Sequence, residues 1–105
     1  MKLNLVINSL GANDLKEIQN YYNNISISFG NKIIKNILFS IENLIVFPKM
    51  GKLLSKKFHF KNQKYRYLII NNFIVFYIYK NNSIFIERII PFKKNYKYLF
   101  YEYID

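Results

Sequence analysis

The side chains that could do chemistry in this sequence are mainly cations and tyrosines. Sixteen lysines and arginines stand against six acids, which gives a net charge of +10, and ten residues are tyrosines. The only arginines are Arg66 and Arg88, the only histidine is His59, and cysteine is absent. Because guanidinium and ammonium groups bind phosphate, this set favours a polyanionic partner: RNA, DNA or an acidic protein. The lack of cysteine excludes disulfides and thiolate sites, and no residue cluster predicts a metal ion or an organic cofactor.

The positive charge is concentrated in the second half of the chain. Residues 1–48 carry four lysines and three acids, a net +1, whereas residues 49–105 carry ten lysines, two arginines and three acids, a net +9. The most basic stretch, residues 49–64, has no acid, and a short edge strand is predicted around residues 53–60. Two interpretations of its lysines stay open, because they could contact phosphate or simply prevent edge-to-edge association of sheets.

Three runs rich in Ile, Val, Phe and Tyr predict β-strands at residues 65–70, 73–79 and 83–90. Asn-Asn pairs at 71–72 and 81–82 separate these runs. A two-residue hairpin loop needs positive φ, which Asn tolerates better than most residues. The stretch is therefore predicted to form an antiparallel three-strand meander.

Two-residue loops fix the register of this meander. They place Arg66 opposite Tyr77 and Val75 opposite Arg88, and side chains then alternate between two faces. One face is almost wholly apolar and is expected to carry the helices: Tyr65, Tyr67, Ile69, Ile74, Phe76, Ile78, Phe85, Glu87 and Ile89. The other face gathers both arginines around Tyr77: Arg66, Leu68, Ile70, Phe73, Val75, Tyr77, Tyr79, Ile84, Ile86, Arg88 and Ile90. This second face is the predicted functional surface.

The segments before and after the meander predict the remaining elements. Residues 2–8 alternate as in a half-buried strand. Asn13 is the expected N-cap of a first amphipathic helix, and a second helix follows from about Phe29 and must end before Pro48. Residues 96–103 have the spacing of a short C-terminal helix. At 105 residues the chain is predicted to be one α+β domain, with an antiparallel helix hairpin packed on an antiparallel sheet.

The order strand, two helices and antiparallel strands resembles the RelE/ParE toxins of bacterial type II toxin–antitoxin systems. The segments that carry the resemblance are YRYLIINNFIVFYIY and IFIERIIPFKKNYKYL, supported by residues 14–18 and 47–51. The resemblance implies a small cytoplasmic toxin that arrests growth and is neutralised by an antitoxin segment wrapped around it. RelE-like members cut mRNA in the ribosomal A site, whereas ParE-like members poison DNA gyrase. Nothing in the sequence suggests a signal peptide or a membrane span, which agrees with this location.

The nuclease alternative implies a defined set of residues. Cleavage of RNA needs a base for the 2′-hydroxyl proton, cations for the phosphate charge and an acid for the leaving oxygen. Arg66 and Arg88 match the family's basic positions, and Tyr77, Tyr96 or a lysine would transfer protons. For either activity the predicted target- or phosphate-binding set is Lys56, Lys57, Lys64, Arg66, Arg88, Lys93 and Lys94.

Two departures separate this chain from RelE-like nucleases. Ile74 occupies the position of a second arginine, and the tail Ile90-Pro91-Phe92 lacks the His-Tyr ending of some nucleases. A ParE-like inhibitor of DNA gyrase is therefore favoured, with the ribosome-dependent endoribonuclease as the alternative and a non-toxic RNA-binding module as a third. Apolar residues beside the arginines would suit an acidic, amphipathic antitoxin segment: Leu68, Phe73, Val75, Ile84 and Ile86.

Overall fold

The structure is a computed structural model that describes residues 3–54 and 64–92. Two helices pack on a five-stranded sheet of strand order β1-β5-β4-β3-β2. The elements in chain order are β1 (Asn4–Ile7), α1 (Ser9–Asn23), α2 (Ile27–Glu42), a 3₁₀ helix (Asn43–Ile45), β2 (Lys52–Leu53), β3 (Tyr65–Ile70), β4 (Phe73–Lys80) and β5 (Ser83–Pro91). The predicted α+β architecture is confirmed. The C-terminal helix and residues 55–60 of the predicted edge strand lie outside the described residues.

Polar side chains set where each helix begins. The Asn8 side chain accepts a hydrogen bond from the Gly11 backbone N–H at 2.9 Å, so α1 starts directly after β1. The prediction that Asn13 caps this helix is wrong, because Asn8 caps it and residues 10–12 already belong to the helix. Ser26 caps α2 in the same way. As predicted, helical structure ends before Pro48.

The first hairpin has the predicted register, with Arg66 opposite Tyr77. The loop residues Asn71, Asn81 and Asn82 adopt positive φ of 53°, 52° and 60°, which explains the choice of Asn. In the second hairpin the pairing starts as expected but shifts by one residue between Tyr77 and Phe76.

This shift is a β-bulge at Glu87. Tyr77 pairs with Ile86, and the next residue, Phe76, pairs with Arg88, so Glu87 has no partner of its own on β4. Val75 therefore lies opposite Ile89, and the prediction that it faces Arg88 is wrong. A bulge adds one residue to one strand and shifts the alternation of faces beyond it, so that Ile86 and Ile89 lie in the same core cluster. The sequence pattern alone could not locate it.

The helices cover the opposite sheet face from the one predicted. They pack on the face that carries Tyr77, where the buried core comprises Ile18, Ile37, Ile41, Leu44, Ile70, Phe73, Val75, Tyr77, Ile84, Ile86 and Ile89. The other face holds a second buried cluster, made of Leu54, Tyr65, Ile74, Phe76, Ile78 and Ile90, with Tyr67 and Phe85 against it. Because both faces of β4 are apolar, alternation could not decide which one the helices would cover.

β1 makes the sheet mixed rather than antiparallel. It pairs in parallel with β5, from Asn4 opposite Ser83 to Ile7 opposite Ile86. The predicted N-terminal strand is thereby confirmed, and it forms one edge of the sheet while β2 forms the other. Within the described ranges, neither helix is long and apolar enough to cross a membrane.

Candidate functional site

Tyr77 is a fully buried residue that holds a turn in place. Its hydroxyl donates a hydrogen bond to the Pro48 carbonyl oxygen at 2.9 Å and accepts one from the Gly51 backbone N–H at 2.8 Å. Burial raises the pKa of Tyr77, although the Gly51 hydrogen bond and the Arg66 charge lower it in part. The hydroxyl is therefore a neutral donor at neutral pH. The hydroxyl is bonded to Pro48 and Gly51, whereas the nuclease hypothesis requires it to reach RNA. Its position therefore does not support the predicted catalytic role.

Gly51 and Arg66 complete this connection. The Arg66 Nη1 donates a hydrogen bond to the Gly51 carbonyl oxygen at 2.8 Å, so both backbone groups of Gly51 are bound to the sheet. A Cβ atom on Gly51 would lie 2.6 Å from the Tyr77 ring and hydroxyl and 2.7 Å from the Tyr67 carbonyl oxygen. Only glycine fits there. The segment from Pro48 to Gly51 is thus fixed to β3 and β4 by three hydrogen bonds.

Arg88 forms an ion pair with Asp14 of α1. Its Nε lies 2.7 Å from Asp14 Oδ2, its Nη2 lies 2.8 Å from Oδ1, and Oδ2 also accepts the Ile89 backbone N–H at 2.9 Å. The two side chains are 14% and 7% exposed. A guanidinium held by a carboxylate on two atoms has less capacity to bind a phosphate. This partner could not be predicted from the sequence, because Asp14 lies 74 residues away along the chain.

The bulge residue Glu87 contacts the start of α1. Its carboxylate accepts a hydrogen bond from the Asn8 side-chain amide, which belongs to the residue that caps the helix. Burial raises the pKa of Glu87, while the Asn8 hydrogen bond and the Lys80 charge lower it to a smaller extent. β5 therefore holds α1 at two neighbouring points, through Glu87 to Asn8 and through Arg88 to Asp14.

A cleft of about 490 Å³ lies beside the Arg88–Asp14 pair. It is lined by Asp14, Glu17, Ile18, Tyr21, Tyr22, Asn72, Phe73, Arg88, Ile89, Ile90, Pro91 and Phe92. Its walls are largely aromatic and aliphatic. No cation besides Arg88 lines it within the described part of the chain, so it lacks the cluster of positive charges that phosphate binding requires.

The two predicted arginines are thus engaged on different elements. Arg66 binds the turn before β2, and Arg88 binds α1. Lys64, immediately before β3, is exposed. Five other candidates lie outside the described residues, as does the single histidine His59: Lys56, Lys57, Lys93, Lys94 and Tyr96.

The turn at residues 46–50 is a surface that the functional part of the sequence analysis missed. Val46, Phe47 and Met50 are 69%, 63% and 44% exposed. Together with Pro48 and Lys49 they line an open concavity of about 590 Å³. The sequence signal was three large apolar residues around a proline directly after a helix, at a point where solvent-facing residues are normally polar.

Comparison with known proteins decides the family. A model described as "ParE toxin of type II toxin-antitoxin system, parDE" matches residues 7–96, which is most of the chain. The chain belongs to the ParE toxin family. The resemblance to RelE/ParE toxins seen in the sequence is confirmed, and membership implies an antitoxin as partner.

A solved structure supports the fold of this ParE-family chain. A chain of the "Chromosomal ParDE TA system from P. aeruginosa" is similar to it with a TM-score of 0.72 and 21% sequence identity. The match covers 88% of this chain and 98% of that chain. At this identity the likeness shows the shared architecture of two helices on a mixed sheet. No curated protein matches the sequence.

The predicted antitoxin-binding surface of this ParE-family toxin is wrong. Phe73, Val75, Ile84 and Ile86 are at most 3% exposed and lie in the core under the helices, and Leu68 packs against that core. A partner could reach them only if the helices moved away. The error follows directly from the inverted choice of sheet face.

Proposed function

We propose that this chain is a growth-arresting toxin that inhibits DNA gyrase and does not cleave RNA. The observation that carries the proposal is the engagement of Arg88 by Asp14. In the nuclease alternative this arginine stabilises charge on the scissile phosphate. A carboxylate bound on two atoms opposes that role, because it neutralises the guanidinium and occupies its Nε and one Nη2 donor.

The position of Tyr77 supports the same choice. A residue that transfers protons must reach the reacting atoms within hydrogen-bonding distance. The Tyr77 hydroxyl is buried and occupied by Pro48 and Gly51. Inhibition of gyrase by binding requires no acid–base pair, so the engaged arginine and tyrosine do not weaken it. The exposed Lys64 and the net charge of +10 suit a large acidic or DNA-bound target.

The proposal is tested by brief induction in a bacterial host, with two measurements from the same culture. We expect intact messages together with DNA breaks and induction of the DNA-damage response. Purified toxin should also inhibit supercoiling by gyrase in vitro. New mRNA 5′ ends within translated codons, with intact DNA, would instead establish the endoribonuclease, and normal growth with neither signal would contradict both activities.

A pair of variants tests the predicted role of Lys64. Lys64→Glu should weaken gyrase inhibition several-fold, because it reverses a charge on the proposed binding surface. Lys16→Glu makes the same change at an exposed position on α1 and should inhibit gyrase like the parent. Equal loss in both variants would indicate a general effect of net charge and would remove Lys64 from the site.

A further inference from the structure

We propose that the turn at residues 46–50 binds an acidic, amphipathic segment of the antitoxin. The inference rests on the proposed function only in that a toxin requires such a partner. The sequence did not predict this binding site. The turn replaces the buried sheet face as the place where the antitoxin's apolar side chains insert.

The turn exposes apolar surface on a rigid support. Val46 and Phe47 are more than half exposed, and they line one concavity with Met50. Burial of such side chains against a partner is favourable because it removes apolar surface from water. Exposed clusters of this kind usually mark an interaction site.

The turn is preorganised for binding. The Tyr77 hydroxyl binds both Pro48 and Gly51, and Arg66 binds the Gly51 carbonyl oxygen. Further hydrogen bonds within the turn join the Met50 N–H to the Phe47 carbonyl oxygen and the Phe47 N–H to that of Asn43. The concavity is therefore held in one conformation before a partner arrives, which lowers the entropic cost of binding.

The sequence around the turn is strongly basic. No acid lies between Glu42 and Glu87, whereas eight of the sixteen lysines and arginines do. Lys49 lines the concavity and Lys52 follows on the edge strand β2, both exposed. Such a rim repels a second copy of this basic chain and attracts an acidic segment.

The apolar surface of the turn suits a partner that stays bound. Apolar surface left open on a free protein promotes aggregation, and obligate interfaces are more hydrophobic than transient ones. A partner that is made together with the toxin and stays bound keeps this turn covered. An enzyme target met only after release does not. The chemistry of the turn therefore favours the antitoxin over gyrase as its occupant.

The test uses the toxin and the antitoxin encoded beside it, produced together, separated in denaturant and refolded. Calorimetric titration gives Kd for the parent and for the Phe47→Ser/Met50→Ser variant. We expect Kd to rise by about 100-fold, the size typical when two anchor residues are truncated. Phe39→Ser is the matched control, since Phe39 is 68% exposed on α2 and should bind like the parent.

A second variant tests the charged rim without removing apolar contacts. Lys49→Gln/Lys52→Gln should weaken binding at low salt and reduce the salt dependence of Kd. Circular dichroism should show parental folding for every variant. Parental affinity in the Phe47/Met50 variant, or equal loss in the Phe39 control, would overturn the inference. The titration does not require toxicity. A non-toxic parent would therefore refute the proposed function, while the measured Kd values would still decide whether the turn binds the antitoxin.

Discussion

The two carboxylate oxygens of Asp14 accept hydrogen bonds from Nε and Nη2 of Arg88, and Oδ2 also accepts the Ile89 backbone N–H, so Asp14 joins α1 to β5. Removal of one partner from a nearly buried ion pair is strongly destabilising, by about 3–5 kcal/mol. Asp14→Ala should therefore lower the free energy of unfolding by roughly that amount in urea titrations. The double variant Asp14→Leu/Arg88→Met, which removes both charges and keeps apolar volume, should recover much of the loss. A parental midpoint for Asp14→Ala would show that the pair does not stabilise the fold.

Tyr77→Phe should loosen the turn while keeping the aromatic ring in the core. The change leaves the Gly51 N–H and the Pro48 carbonyl oxygen without their partner, and an unpaired buried polar group costs about 1–3 kcal/mol. Hydrogen exchange should become faster at the Gly51 amide, and the unfolding free energy should fall. Tyr79→Phe, on the same strand, is the control and should behave like the parent. Unchanged exchange at Gly51 would contradict the anchoring role of the hydroxyl.

Gly51→Ala should destabilise the protein more than Gly11→Ala. The added methyl at position 51 would lie 2.6 Å from Tyr77, whereas its nearest contact at position 11 is the Ile86 carbonyl oxygen at 3.2 Å. Overpacking of this kind costs about 1–3 kcal/mol. At position 11 the better helix propensity of alanine offsets a tighter contact. Thermal unfolding of both variants checks the order, and equal melting temperatures would show that the turn yields without cost.

The stability of the fold should fall as pH rises through the pKa of Glu87. Burial raises this pKa above its ordinary value of 4.5. A carboxyl group with a raised pKa in the folded state binds its proton more tightly there than in the unfolded chain, so its stabilising effect is complete below pH 4.5 and is lost above the raised value. Urea midpoints measured across this window check the slope.

Glu87→Gln should remove that contribution to the slope, because the amide cannot ionise and still accepts the hydrogen bond from Asn8. Glu17→Gln, at an exposed position on α1, should retain it. If the parent and Glu87→Gln respond to pH in the same way, ionisation of Glu87 is not linked to folding.

The sequence predicted the local elements of this fold well, because local chemistry determines them. Asn residues with positive φ closed both hairpins as expected, and Pro48 limited the helical region. The choice of sheet face failed because β4 is apolar on both sides, so the period of two carries no information about which side the helices cover. The bulge at Glu87 was equally hidden, because β5 has apolar residues on both sides of it and its composition does not show where the extra residue lies.

The candidate site was harder to predict for a related reason. Arginine and tyrosine suggest chemistry by type, but their roles depend on partners far away in the chain. Arg88 meets Asp14 from the first helix, and Tyr77 meets the turn that ends at Gly51. No spacing rule connects such positions. An apolar turn after a helix is visible in the sequence, but its rigidity becomes apparent only once Tyr77 is seen to hold it.

The parallel pairing of β1 with β5 has a consequence for the synthesis of the protein. β1 leaves the ribosome well before β5, the strand with which it pairs from Ser83 onward. The same late segment supplies Arg88, the partner of the early Asp14. Contacts between distant parts of a chain form slowly and only when both parts are present. The sheet of the nascent chain therefore stays incomplete until β5 has been translated, which leaves an antitoxin already present in the cell time to meet the toxin as it folds.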